Sequence, residues 1–268
     1  MSQPLTRADL ARDLAALGLA DGDSVMVHAA VSVVGPLLDG PDTVIAALRD
    51  VVGPAGTVLA YTDWEIRFHE VADDDGSVPE PWRSHAAPFD PRASRAAREN
   101  GVLPEFLRTT PGALRSAAHG ASVAALGARA AWFTDPHPLD YGYGPGTPFA
   151  RLVEAGGRVL LLGAPLDTMT LLHHAEHLAD LPGKRVLRYE VPLLGEDGRT
   201  EWRWVEEFDT SEPVVEGLAE DYFAEVVEAF LATGRGRRGR VGQAPSVLVD
   251  AAAVTAFAVD WLERRLAR

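Results

Sequence analysis

The sequence predicts a single α/β domain over residues 1–268, with a mixed central β-sheet flanked by helices on both faces. Three observations predict it. Helix, strand, helix and strand signals alternate within the first 61 residues, the pattern of an α/β fold. Apolar runs of strand length end in Gly and Pro turns, as Val159-Leu160-Leu161-Leu162 does before Gly163 and Pro165. No internal repeat is visible, and no linker is long enough to separate two folding units.

In order along the chain, Thr6 and Asp9 form a capping-box signature ahead of Leu10, Leu14 and Leu17, with Gly18 as the stop. Residues 24–31 (SVMVHAAV) read as a strand, followed by a loop holding Gly35-Pro36 and Gly40-Pro41. A helix over 42–52 ends at Gly53-Pro54, and a strand occupies 57–61. The stretch at about 63–90 then breaks the pattern with Trp64, Trp82 and the run Asp73-Asp74-Asp75. It is expected to be an irregular excursion, the kind of long loop that is functional or mobile.

A short helix near 102–108 and a strand at 121–126 follow. Residues 140–148 (DYGYGPGTP) form a turn-rich aromatic segment expected to line a ligand. Beyond the central segment come a β pair at 186–194 and 201–207, a helix from about 216 to 233, a basic loop at 234–242, a strand at 246–249 and a terminal helix.

Composition narrows the function. The net charge of −14, from 39 acidic and 25 basic residues, opposes binding to nucleic acid or anionic membranes and favours a cationic partner. No apolar run approaches the roughly 20 residues needed to span a bilayer, and the N-terminus lacks the apolar core of a secretory signal. Zero cysteines exclude disulfides, thiolate metal sites and cysteine nucleophiles, which suits a reducing cytoplasm. The sequence does not distinguish a monomer from a homodimer.

The richest segment is 158–185 (RVLLLGAPLDTMTLLHHAEHLADLPGKR). It reads as a buried strand, a Gly-Ala-Pro turn and a helix whose first turns carry Thr170, His173, His174, Glu176 and His177. Delivering titratable groups from a strand end into a helix start is a common way for α/β proteins to build a site. His173 and Glu176, at i and i+3, share one helix face. Three readings stand side by side. The pattern fits H-x-x-E-H, in which His173 and His177 ligate zinc and Glu176 is the base. Alternatively, His173 is a general base oriented by Glu176 or another carboxylate. In the plainest reading, the histidines of a polar helix face meet only water or backbone.

The chain also resembles a known family. The signposts are VMVHAAVSVVGPLLDGPDTVIAALRDVVGPAGTVLAYTDW at 25–64, PFDP at 88–91, the segment 115–122, and LLLGAPLDTMTLLHHAE followed by LPGKR. In this order they resemble the aminoglycoside 3-N-acetyltransferases, acetyl-CoA-dependent resistance enzymes distinct from the GNAT fold. The resemblance implies acetyl transfer from acetyl-CoA to the 3-amino group of a 2-deoxystreptamine antibiotic, with no metal. The family's T-x-x-H-x-A-E pattern falls on Thr170, His173, Ala175 and Glu176. It implies His173 as base and Glu176 as its orienting partner, with Thr170 either near the thioester carbonyl or capping the helix. His174 and His177 are expected to be ordinary helix residues.

The loop 28–35, with His28, Ala29, Ala30, Ser32, Val33 and Val34, is implied to lie against the cofactor, largely through backbone amides. The family shows V-H-[SA]-S-L there, so Ala30 removes one hydroxyl. Arg115 and Ser122 retain the pattern R-S-A-H-P-x-A-S and are implied near the cofactor, while Ala118 and His119 replace its His and Pro. Asp209 is the first expected partner for drug ammonium groups, with Glu207, Asp63, Trp64, Glu65 and Tyr141 also expected in the substrate pocket. Two other outcomes remain at this level: a zinc hydrolase, or a non-catalytic binder of cationic drugs with a degenerate cofactor loop.

Overall fold

A computed structural model of the chain describes residues 3–66, 68–210 and 212–266. The N-terminal half supplies α1 (Arg7–Leu17), β1 (Ser24–Ala29), α2 (Pro41–Val52), β2 (Thr57–Tyr61), α3 (Trp82–His85), α4 (Leu103–Thr109), β3 (Leu114–Arg115), β4 (Val123–Gly127) and α5 (Ala130–Thr134). The C-terminal half supplies α6 (Pro148–Glu154), β5 (Arg158–Leu162), α7 (Leu171–Leu178), β6 (Val186–Leu194), β7 (Thr200–Phe208), α8 (Tyr222–Ala232), β8 (Arg237–Val241), β9 (Ala244–Asp250) and α9 (Ala251–Leu266). Seven strands form one mixed sheet in the order β3-β4-β2-β1-β5-β9-β8, and β6 and β7 form a separate ribbon. The expected mixed α/β architecture is the observed one.

Strand alternation explains the layers. Successive side chains on a strand point to opposite faces. Val25 and Val27, Val58 and Ala60, and Leu160 and Leu162 join α1, α2 and α4 in one core. Met26, Leu59, Val159 and Leu161 join α5 to α9 in the other. The first helix carries the predicted capping box and stops at Gly18 in the left-handed region. None of the described helices is long and apolar enough to cross a membrane.

Two elements differ from expectation. The basic segment read as a loop contains β8, an edge strand antiparallel to β9. Four of its five residues are exposed and only Val241 is buried, so no apolar alternation announces it. Charged side chains on such an edge discourage further strand pairing. The helix expected from about 216 begins at Tyr222, because Gly217 takes a positive φ of 92° and keeps the preceding turn out of helix.

Between β2 and α4 the described chain has no regular element longer than the four residues of α3. This segment is tied to the ribbon. The buried Glu190 carboxylate accepts from the Val78 amide at 3.2 Å and from Arg83, and the Phe89 amide donates to the Pro192 carbonyl at 2.8 Å.

Candidate functional site

In the sheet, β1 is parallel to both β2 and β5. The chain leaves β1 toward β2 on one side, while β5 lies on the other, so a crevice opens beyond their carboxyl ends. Open α/β sheets bind ligands at such switch points. Its two rims are the end of β1 with Ala30, and Gly163-Ala164-Pro165 after β5. The Ala30 amide donates to the Leu162 carbonyl at 3.0 Å and locks the rims together. Gly163, with φ of 68°, is required here: a Cβ would sit 2.4 Å from Val33 Cγ2 and 3.1 Å from Ala244 Cβ.

The crevice widens into a cavity of about 610 Å³ that His28, Ala29, Ala30, Tyr143, Thr170 and His173 help to line. The turn at Val31–Val33 is a single 3-10 turn, in which Val33 and Val34 amides return to the carbonyls of Ala30 and Val31. The amides of Val31 and Ser32 have no backbone partner among the described residues. Ser32 and Val33 are exposed and Val34 is buried, so the cavity wall itself is made by 28–30. Burial pushes the His28 imidazole down to about 4, and its Nε2 is enclosed with no hydrogen-bond partner.

His173 and Glu176 meet as their spacing predicts. His173 Nδ1 lies 2.6 Å from Glu176 Oε2, and Glu176 is only 3% exposed. A carboxylate can only accept, so Nδ1 carries the proton and Nε2 is left with its lone pair. The Tyr222 hydroxyl donates to Glu176 Oε1. Burial, reinforced by the Glu176 charge, raises the Tyr222 phenol and keeps it a donor. The imidazole is held between rings, with Tyr143 at 4.9 Å and Phe223 at 4.8 Å between centroids.

Beside it lies an acidic cavity of about 850 Å³, lined by Asp63, Trp64, Glu65, Glu70, Asp73, Asp74, Glu99 and Glu207, with His119 and Tyr189. Asp63 and Glu99 line both this cavity and that of His173. A third cavity of about 550 Å³ meets His173 and Glu176 from the side of Glu212, Glu216 and Glu220. Burial pushes the Asp63 carboxyl up to about 7, opposed by the Trp64 amide that donates to it at 2.7 Å. Glu65 accepts from the Arg98 amide at 2.7 Å, and Glu207 accepts from the Gly142 amide at 2.5 Å.

Several expected site residues sit elsewhere. Arg115 and Ser122 line none of these cavities. Arg115 donates to the carbonyls of Ser94, at 2.6 Å, and Thr62, and to Ser122 Oγ at 3.0 Å, fastening the irregular segment to the sheet. Asp209 lies 3.3 Å from Arg185 Nε and lines none of the three cavities. Tyr141 points to Glu206 at 3.4 Å, and Tyr143 takes the place beside the histidine. Thr170 makes no side-chain cap; its hydroxyl reaches the Thr168 carbonyl at 3.5 Å, and the residue lines the cavity of His173.

Of the two other imidazoles of α7, only His174 is hydrogen-bonded. His174 Nδ1 donates to the Tyr143 carbonyl at 2.7 Å, and His177 Nε2 lies 3.0 Å from Glu207 Oε1, off the hydrogen-bond direction. With Glu176 enclosed between His173 and Tyr222, the H-x-x-E-H arrangement does not assemble. The described residues contain no group of three or more His, Asp or Glu side chains fit to hold a metal. Where the family pattern loses its histidine, His119 is buried with Nε2 3.1 Å from the Tyr189 hydroxyl, and burial lowers it to about 4.

A mixed sheet whose switch-point crevice opens onto an oriented, carboxylate-backed histidine defines an enzyme of the α/β class. The family model for aminoglycoside 3-N-acetyltransferase matches residues 26–263. The chain is 49% identical to aminoglycoside N(3)-acetyltransferase VII of Streptomyces paromomycinus over 99% of its own length and 94% of that protein. A solved structure of AAC-IIIb in binary complex with CoASH superposes with a TM-score of 0.97 at 69% identity, covering 98% of both chains. AAC-VIa bound to sisomicin gives a TM-score of 0.94 at 38% identity, over 99% of this chain and 100% of that one. The chain belongs to the aminoglycoside 3-N-acetyltransferase family.

Proposed function

We propose that this enzyme transfers the acetyl group of acetyl-CoA to the 3-amino group of a 2-deoxystreptamine aminoglycoside, conferring resistance, with His173 as general base. The observation that carries this reading is the His173–Glu176–Tyr222 chain of hydrogen bonds, beside a cavity walled by carboxylates. Family membership, the CoASH of AAC-IIIb and the sisomicin of AAC-VIa support the two substrates.

In this mechanism the cavity carboxylates attract the polycationic drug and hold its ammonium groups. His173 Nε2 takes the proton of the amine nitrogen as it attacks the thioester carbonyl carbon, and returns it to the departing sulfur. Glu176 holds the imidazole in the reactive tautomer and stabilises the imidazolium that forms. The fit for acetyl-CoA rests on the open crevice, the small side chains of Ala29 and Ala30 and the unpartnered amides of Val31 and Ser32, which favour an anionic group. Thr170 is near enough to the cavity to meet the thioester.

The test is thiol release from acetyl-CoA, read with a free-thiol reagent against gentamicin, neomycin, apramycin and a non-aminoglycoside amine. The chain has no cysteine, so the protein adds no background. Release that depends on the drug supports the reading. No release with any of them overturns it.

A further inference from the structure

The proton balance of the reaction leaves one step unassigned. The drug arrives as an ammonium, RNH3+, but only RNH2 has the lone pair that attacks. From ammonium to amide the nitrogen loses two protons, and the leaving thiolate recovers one. His173 handles one removal and that return. The other proton must leave before attack. The carboxylates that attract the ammonium oppose its departure, because negative neighbours favour the charged form.

We propose that Asp63 is a second general base, which takes the first proton from the bound ammonium before His173 acts on the amine. This rests on the acetyltransferase reading above. Asp63 stands just past the end of β2, and with Glu99 and Thr210 it is one of three residues lining both the acidic cavity and the cavity of His173. It is also joined to the histidine by aromatic groups. Tyr61 lies close enough to Asp63 to lower its carboxyl, the Tyr61 hydroxyl lies 2.7 Å from that of Tyr143, and the Tyr143 ring packs on His173. A substrate amine passing from one cavity to the other therefore meets Asp63 at the junction.

The chemistry balances. RNH3+ and the Asp63 carboxylate give RNH2 and the carboxylic acid. The nitrogen then bonds to the thioester carbonyl carbon, the carbon–sulfur bond breaks, and His173 carries the second proton from nitrogen to sulfur. Asp63 returns its proton to water, so one acetyl group moves and one proton is released. An acid that burial holds near 7 can accept from an ammonium and discharge to solvent at working pH. The groups facing it are Glu99, which raises it further, Arg115 and Tyr61, which lower it, and Tyr143 and Tyr189, which sense its charge; His119 and Glu207 share its cavity.

The test measures kcat and KM for the drug at saturating acetyl-CoA, from about pH 6 to about pH 9, in the parent, Asp63→Asn and Glu99→Gln. The parent kcat should rise through about 7 and level off. In Asp63→Asn, kcat at neutral pH should fall on the order of 10²-fold. It should then keep rising, by about tenfold per pH unit, toward the amine's own pKa, as a lost base requires. Glu99→Gln should move the parent's limb to lower pH, since it removes a charge that holds Asp63 protonated.

An Asp63→Asn profile parallel to the parent, changed only in KM, makes Asp63 a binding carboxylate and overturns the proposal. A limb that stays in place in Glu99→Gln overturns it as well, and decides alone if Asp63→Asn fails to fold. A parent with no drug-dependent thiol release refutes the underlying reading; a normal parent with a parallel variant refutes only the role of Asp63.

Discussion

At the scale of residues, the Glu176 carboxylate that backs His173 depends on a partner that its own helix does not supply. Replacing Tyr222 with Phe removes the hydroxyl donor to Glu176 Oε1 while keeping the ring that packs on Phe223. A hydrogen bond to a buried charged group contributes about 1.5–3 kcal/mol, so the urea-unfolding midpoint should fall accordingly. Glu207→Gln removes a charge from the acidic cavity and should raise the KM for the drug; Asp209→Asn should leave that KM unchanged, because Asp209 faces Arg185. Steady-state kinetics checks both. His173 and Glu176 were legible because i and i+3 spacing is local geometry. Tyr222 was not, since it is 46 residues away and reaches Glu176 only once the fold brings the first residue of α8 to α7. The acids were legible as a class; which of them face a cavity depends on packing that charge counts do not encode.

At the scale of elements, the crevice depends on turns that only particular backbones can make. Gly163→Ala would force a Cβ into Val33 and hold a non-glycine residue at φ of 68°. Strain and overpacking of this kind cost about 1–3 kcal/mol each, so the variant should unfold at lower denaturant and bind CoA more weakly, as calorimetry would show. The strands and helices with a strong apolar period, β1, β2, β5, α1 and α2, were readable from sequence within a few residues of their ends. β8 was not, because an edge strand of arginines owes its conformation to pairing with β9 rather than to its own pattern. The short helices α5 and α6 likewise carry too few turns for a period to emerge.

At the scale of the molecule, burial of neutral imidazoles links stability to pH. His28, His119 and His137 are each lowered to about 4 by burial, against an ordinary value of 6.5. Between these values the unfolded chain binds protons that the folded chain refuses, so stability falls as pH drops from about 6.5 toward about 4. Asp63, raised to about 7, works the other way: the folded state holds its proton more tightly over most of this window. His174 is lowered by burial as well, so the imidazoles outnumber this acid and the net loss of stability sets in below about 6.5. Urea midpoints should therefore decline as pH drops from about 6.5 toward about 5. The overall acidic charge was legible at once, and its concentration around two adjoining cavities was not, because it gathers side chains from 63–99 and from β7. The most direct test of the account is drug-dependent thiol release by His173→Ala compared with the parent, at saturating acetyl-CoA. Turnover should be lower by on the order of 10²-fold or more, with acetyl-CoA binding near normal; turnover at the parent rate would contradict His173 as the base.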